Sequence, residues 1–354
     1  MKRGFYVIVL ATVAFALYGG DFAGLCGASL KEAIKNADRP NSIVSSTVGR
    51  GGAWEAFRST DCDASGMVVN RFSDEQGVFP ADGYSAVGTM QQLHVVDMSW
   101  WRNESSYGDT IMWDLHNLYP CSNEVYEVKR DQIPGYVTDA TYYNELIRIG
   151  YGRRNANEDM VDMWEPAEEH RGDFARTIFY MTTLYPATLW GGLAANFMTN
   201  TKYPTLNRYA TALLLDWHRN DPVSELEKRR NDAVERIQGN RNPYVDNPDL
   251  VEYVWGEYKE TPIVSEEDST PDAGDESEDE EEMVRVPLKA RYSISDERID
   301  LYSPFVPEGA TWSVDGVEAT SDYLIPAELG VGKHELRFVV ADGRKGKLII
   351  EILQ

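Results

Sequence analysis

Apolar positions open the chain as a nearly continuous block, with Lys2 and Arg3 ahead of a run from Phe5 to Tyr18 and small residues at Gly19, Gly20, Ala23 and Gly24 behind it. That order is the layout of a secretory leader, and the run is shorter than the ~20 apolar residues a membrane span needs. The pattern predicts export, with residues 1–28 as signal peptide and the mature protein secreted, periplasmic or held at the cell surface. Next, Leu30, Ala33, Ile34 and Ala37 recur at helical spacing, with Ser29 placed to cap them and Pro40 to stop them. A loop rich in Ser and Gly runs to Gly52, and a short aromatic segment covers Ala53 to Phe57. Turn residues at Asp61, Asp63 and Gly66 then lead into a predicted strand from Met67 to Phe72.

The middle of the chain reads as helical. Phe174, Ile178, Met181 and Tyr185 form a buried stripe over Arg171 to Tyr185, and Leu206, Leu213 and Trp217 repeat it over Thr205 to Trp217. Asp221 as N-cap, Pro222 in the first turn, then Val223, Leu226, Ala233 and Ile237 on one face and Gly239 just past the end mark a further helix. Periodicity then stops. From Ser265 to Met283 the chain carries eleven carboxylates and no Lys or Arg, too few apolar groups to offset the entropy of ordering, which predicts a solvated linker over residues 257–283. Val286, Leu288 and Ala290 alternate, as do Ile299 and Leu301, while Glu335 to Ala341 and Lys347 to Leu353 read as strands, with turns at Asp315-Gly316 and Asp342-Gly343. Residues 284–354 therefore read as a small, separate β domain of sandwich type.

Charge narrows the function. The formal net charge is -24 across 354 residues, and the acidic run does not account for all of it. A broad basic surface for nucleic acid is excluded, so a polyanion would have to be held by a local patch or by a metal ion. There are three cysteines. Cys26 lies at the leader, where a lipid anchor is conceivable although Leu25 fills a position that wants a small residue. Cys62 and Cys121 are left either as a disulfide of an oxidising compartment or as two unpaired thiols.

Five histidines are present, and two sit in similar apolar frames: His94 within Met90 to Trp101 and His116 within Asp114-Leu-His-Asn-Leu-Tyr-Pro120. Each is read either as part of one assembled site or as a satisfied core residue. If Trp113 to Tyr119 is extended, Asp114 shares a face with His116 and would orient it; if helical, Asp114 neighbours Asn117.

These segments resemble the endonuclease I family, secreted bacterial nucleases of the ββα-metal fold. The resemblance spans most of Leu30 to Gly256. Besides the two histidine segments it rests on Arg171-Gly-Asp-Phe-Ala-Arg176 with Tyr180-Met181, Asp221-Pro-Val-Ser-Glu225, Arg230-Asn231 and Ile237-Gln-Gly-Asn-Arg-Asn-Pro243. It implies an α+β fold: a ββα-metal nuclease-like domain with a helical surround over residues 29–256, followed by the acidic linker and the small all-β domain. It also implies hydrolysis of phosphodiester bonds in DNA, and often RNA, with His94 as general base and Mg2+ or Ca2+ on the scissile phosphate.

Two positions depart from the family. Leu93 stands where members carry a metal-binding Glu, and the second ligand, normally Asn, falls on Glu127 when counted back from Pro134 or on Tyr126 when counted forward from Pro120. Glu127 is the expected metal ligand, with Asp97 or Asp114 as helpers. Asp114, His116, Asn117, Arg171, Asp173 and Arg176 are expected in supporting or structural roles. An active nuclease with a rearranged site and a catalytically impaired relative with a binding or structural role both remain open.

Overall fold

The computed structural model describes residues 22–101, 107–155, 157–263, 291–295, 298–301, 310–319, 321, 323–339 and 345–353. The leader run Phe5 to Tyr18, the acidic run, and Val286 to Ala290 lie outside them. The chain divides into two units, residues 1–270 and 271–354.

In the first unit the folded chain takes in residues assigned above to the leader and to the linker. Phe22 is buried in the main core, and Gly24 and Leu25 exchange backbone hydrogen bonds with Ile263 at 2.7 and 3.0 Å. Helix α1 (Gly27–Ala37) begins ahead of Ser29, because Cys26 is its N-cap and Ser29 sits at the third position of a capping box. Leu30 and Ile34 are its buried contacts. The aromatic segment is helix α2 (Ala53–Thr60), which turns Trp54 and Phe57 inward. The predicted strand over Met67 to Phe72 is replaced by isolated bridges, Cys62 to Val68 and Met67 to Val78. Arg71 explains part of the break, since its side chain is drawn inward to Asp61.

The ladder that carries the site is short. Strand β1 (Gln91–His94) pairs antiparallel with β2 (Leu118–Cys121), with Leu93 opposite Tyr119 and His94 opposite Leu118. Between them lie a 3-10 turn at Met98–Trp101 and helix α3 (Gly108–Met112); after them comes α4 (Asn123–Lys129), capped by Ser122. A four-stranded sheet follows, built of β3 (Ile133–Pro134), β4 (Asp139–Tyr143), β5 (Ile147–Gly152) and β6 (Val161–Pro166) in the order β3-β6-β5-β4.

Helix α5 (Arg171–Leu184) runs through the centre, and every residue from Gly172 to Leu184 is buried. The sequence shows an apolar stripe, but the structure buries the whole circumference, so its polar residues have partners inside the protein. Helices α6 (Arg208–Asn220), α7 (Glu225–Gln238), α8 (Pro243–Asp246) and α9 (Leu250–Val254) complete the unit. Asp221 is not the cap of α7. Ser224 is, accepting from Glu227 N at 3.1 Å, while the Asp221 carboxylate accepts from Gly172 N at 2.7 Å and caps α5 instead. Gly239 ends α7 at φ 79°, as a left-handed C-terminal glycine should.

No cysteine is paired: Cys26, Cys62 and Cys121 are free thiols. The Cys62–Cys121 alternative fails because Cys121 belongs to the main core, whereas Cys62 packs on the second cluster around Trp54 and Leu118. No helix among the described residues is long and apolar enough to cross a membrane.

The second unit has a five-stranded sheet in the order β10-β9-β12-β13-β7 and a two-stranded sheet, β11 with β8. Its strands are β7 (Arg291–Ser293), β8 (Ile299–Asp300), β9 (Thr311–Val314), β10 (Val317–Glu318), β11 (Tyr323–Leu324), β12 (Gly332–Val339) and β13 (Lys345–Leu353). Asp315 and Gly316 both take positive φ between β9 and β10, the tight hairpin turn their sequence calls for. Ile299, Leu301, Trp312, Leu336, Phe338, Ile350 and Ile352 form its core.

Candidate active site

His94 ends β1 half-buried, and its Nε2 lies 2.8 Å from the carbonyl oxygen of Met112, at the end of α3. A carbonyl only accepts, so this nitrogen carries the hydrogen and the lone pair of the neutral ring resides on Nδ1. Burial pushes the ring's pKa below its ordinary value, which keeps it neutral. Nδ1 has no hydrogen-bond partner among the described residues.

The backbone beneath the histidine is held from two sides. Asn117 donates from Nδ2 to Val96 O at 2.9 Å and accepts from Val96 N at 2.8 Å, so its amide imitates a further rung of the β1–β2 ladder. Lys129 on α4 donates from Nζ to Val95 O at 3.1 Å and His94 O at 3.3 Å, with Trp164 beneath it at 4.7 Å. Lys129 is fully buried, and burial lowers its pKa to about 8.

The loop bearing Asn117 is anchored in turn by Asp114. Its carboxylate accepts from Tyr180 Oη at 2.8 Å, Tyr185 Oη at 2.6 Å, Gln238 Nε2 at 2.8 Å and the backbone N of His116 at 3.0 Å. Asp114 thus orients the backbone of His116 rather than its ring. Residues 113–117 form a turn, neither of the two regular alternatives, and Asp114 is fully committed to donors, which removes it as an ion ligand. His116 packs on Tyr180 with the rings tilted 57° and 4.5 Å between centroids, and its Nε2 is buried without a partner among the described residues. Its ring is held far below the ordinary histidine pKa by burial, then by the charge of Arg230, so it is a core histidine.

The Arg-Gly-Asp segment supports the scaffold. Arg176 is wholly buried and grips Glu227 through Nε and Nη2 at 2.7 and 2.6 Å, with Asp173 at 3.2 Å. Arg171 pairs with Glu165 at 2.7 Å and lies over Tyr136. Asp61, which the sequence marks only as a turn residue, and Arg71 extend this network. Asp61 binds Arg71 at 2.7 Å and Arg230 at 3.1 Å, and Arg230 also donates to Leu115 O and Leu118 O while stacking 3.9 Å from the Tyr119 ring centroid. The available signal was the charged Arg71 inside a segment, Met67 to Phe72, that otherwise reads as a strand.

Glu127 stands apart. It is exposed on α4, two positions from the inward-facing Val125 and Lys129 and hence on the opposite side of that helix. It lines a cavity of about 360 Å3 with Arg130, Asp131, Gln132 and Asp162, and no hydrogen bond joins it to His94 among the described residues. Leu93 also looks away, buried in the main core opposite Tyr119. Among the described residues no three His, Cys, Asp or Glu side chains converge to hold a metal ion. The two family ligand positions, 93 and 127, therefore do not form an ion site with His94. Asp97 is half-buried and within electrostatic reach of the ring, and its Oδ1 accepts from Ser99 N at 2.8 Å.

The strand pair β1–β2 leads into helix α4, and His94 at the end of β1 is pinned through one ring nitrogen. Residues 28–249 match Endonuclease I, and the chain belongs to that family. It is similar to an extracellular ribonuclease of Bacillus amyloliquefaciens, with 28% identity over 245 residues covering 67% of this chain and 78% of the relative. An extracellular ribonuclease of Bacillus subtilis strain 168 is 26% identical over 239 residues, covering 66% and 76%.

Proposed function

We propose that this protein is a secreted endonuclease that hydrolyses phosphodiester bonds in nucleic acid, RNA as well as DNA, with His94 as general base. The observation that carries this reading is the hydrogen bond from His94 Nε2 to Met112 O, which leaves Nδ1 as the basic atom. A water beside Nδ1 would lose its proton to the ring as its oxygen attacks phosphorus. Asn117 and Lys129 keep the ring in place by holding Val95, Val96 and the His94 carbonyl, so little reorganisation is needed at the moment of reaction. The export leader and the extracellular relatives support action outside the cytoplasm.

A divalent ion, Mg2+ or Ca2+, would supply charge neutralisation on the phosphate when bound, and substrate oxygens and water would complete its shell. The deciding experiment is digestion of double-stranded DNA, single-stranded DNA and RNA by the purified protein, with and without EDTA, beside His94→Ala. Cleavage by the wild type that His94→Ala lacks is the expected result; equal cleavage by both proteins removes His94 from the mechanism.

A second reading, a catalytically impaired relative with a binding or structural role, is favoured by one specific observation: Leu93 is core, and among the described residues no three His, Cys, Asp or Glu side chains converge to hold an ion. Absence of cleavage under every condition, with nucleic acid binding retained, would establish it.

A further inference from the structure

Away from His94, an open cavity of about 1080 Å3 lies where the start of α1, the start of α6 and the chain after α9 meet. None of the residues that line it belongs to β1, β2, α3 or α4, so it is not part of the His94 framework. Its walls are held by hydrogen bonds: Trp255 donates from Nε1 to Pro204 O at 2.8 Å, and Tyr203 from Oη to Val254 O at 2.9 Å. With these polar atoms committed, Tyr203, Pro204, Leu206, Leu215 and Trp255 give the cavity a largely apolar lining. The rim reverses the charge of the chain. Arg208, Arg219 and Lys259 stand there against Glu260, in a protein whose formal net charge is -24. Arg219 is bound by Glu252 at 2.7 and 2.8 Å, whereas Arg208 and Lys259 are exposed and have no ion-pair partner among the described residues. Arg208 is moreover the first residue of α6, whose first turn holds no acid. A cation at that end opposes the helix dipole, a cost that an anion beside it removes.

We propose that this cavity seats one nucleotide of a single-stranded nucleic acid, its phosphate taken by Arg208 and Lys259 and its base packed on Tyr203 and Pro204. Single-strand sites combine such cations with an aromatic platform, and the platform tolerates any base. Neither feature alone selects this ligand: an apolar peptide would leave both cations unmatched, and a bare anion would leave the apolar lining wet. In so acidic a chain, a local cationic rim is also what a polyanion needs in order to approach. The assignment rests on the nuclease reading for its purpose, as a second hold on the strand, but is tested by binding alone.

The test uses the full chain carrying His94→Ala, in EDTA so that cleavage does not consume the probe. A fluorescein-labelled single-stranded RNA of about eight nucleotides is titrated by anisotropy between about 50 and 200 mM salt. Each single-strand phosphate contact adds about 0.7 to the slope of log affinity against log salt. Arg208→Gln with Lys259→Gln should therefore lower that slope by about 1.4, so that the parent loses about 7-fold more affinity than the variant across the range. Ala212→Trp fills the cavity from an exposed position on α6, and should weaken binding about 10-fold while leaving the slope unchanged. Arg229→Gln with Arg236→Gln, exposed on α7 and outside the cavity, should change neither quantity. A slope that falls equally in this control, full affinity in Ala212→Trp, or no RNA binding by the parent at the lowest salt overturns the assignment. So does displacement of the RNA by an equal concentration of inorganic phosphate or of a Glu-rich peptide, which would make the occupant a bare anion or an acidic segment. RNA held in the cavity with no cleavage by wild type would defeat the nuclease reading alone, whereas His94-dependent cleavage without binding at the cavity would defeat only this assignment.

Discussion

Asn117 pairs both its amide groups with the backbone of Val96, Nδ2 to O at 2.9 Å and Oδ1 to N at 2.8 Å, two residues beyond His94. This side chain completes the ladder where β1 and β2 end, and it fixes the exit direction of the strand that presents His94. Asn117→Ala leaves both Val96 groups unmatched in a buried setting, at about 1–3 kcal/mol per group. The expected outcome is a lower denaturant midpoint together with a fall in kcat larger than any change in KM. Asn117→Asp should rescue neither property, because it cannot donate to Val96 O. An Asp variant with wild-type turnover would show that the bidentate contact is dispensable.

Leu93 is 5% exposed and packs in the main core opposite Tyr119. Leu93→Glu, although it brings in the family residue, forces a carboxylate into the main core in place of an apolar side chain. We expect a loss of stability of about 3–5 kcal/mol and no gain in ion-dependent cleavage. A soluble, normally melting Leu93→Glu protein with raised activity would mean that residue 93 turns toward His94.

Arg176 bridges Asp173 and Glu227 with no exposed surface. Burial, and after it the charge of Asp173, pushes Glu227 up to about 8 even against the pull of Arg176. Arg176→Met strands the two acids and should destabilise the protein by about 3–5 kcal/mol, much more than Glu227→Gln, which keeps a polar partner for the guanidinium. Equal losses in chemical denaturation would argue that the pair contributes nothing beyond volume.

His116 and His218 are both buried and neutral, the first held far below its ordinary pKa and the second at about 4, with burial as the main cause in each. Their unfolded forms titrate near the ordinary histidine value of about 6.5. Below that pH the unfolded chain binds protons that the folded chain refuses, so stability present above 6.5 is lost as pH falls toward 4. His218 alone contributes about 3 kcal/mol to that slope. Melting temperature measured between pH 7 and pH 4 should fall steeply, and His218→Phe, placed against Phe179, should flatten the fall. A slope unchanged in the variant would locate the acid sensitivity elsewhere.

Much of this arrangement was legible along the chain. The central helix, the left-handed glycine at Gly239, the Asp315-Gly316 hairpin and the paired frames of His94 and His116 are local features, written in periods of two and 3.6 residues and in turn chemistry that acts over a few positions. What local pattern could not supply was the partner of each polar group. The Asp221 carboxylate caps α5 rather than α7, Asp114 binds two tyrosines and a glutamine from distant helices, and Cys62 and Cys121 lie in separate clusters. The candidate site divides in the same way. Sequence alone determined which histidine resembles a base and that the family's Glu is missing. The tertiary structure alone decided which nitrogen of His94 is pinned and that Glu127 faces away. The physical reason is that a side chain's chemistry is set by its own atoms, whereas its direction and its partners depend on strand register, helix face and burial, which are settled only when residues far apart in sequence pack together.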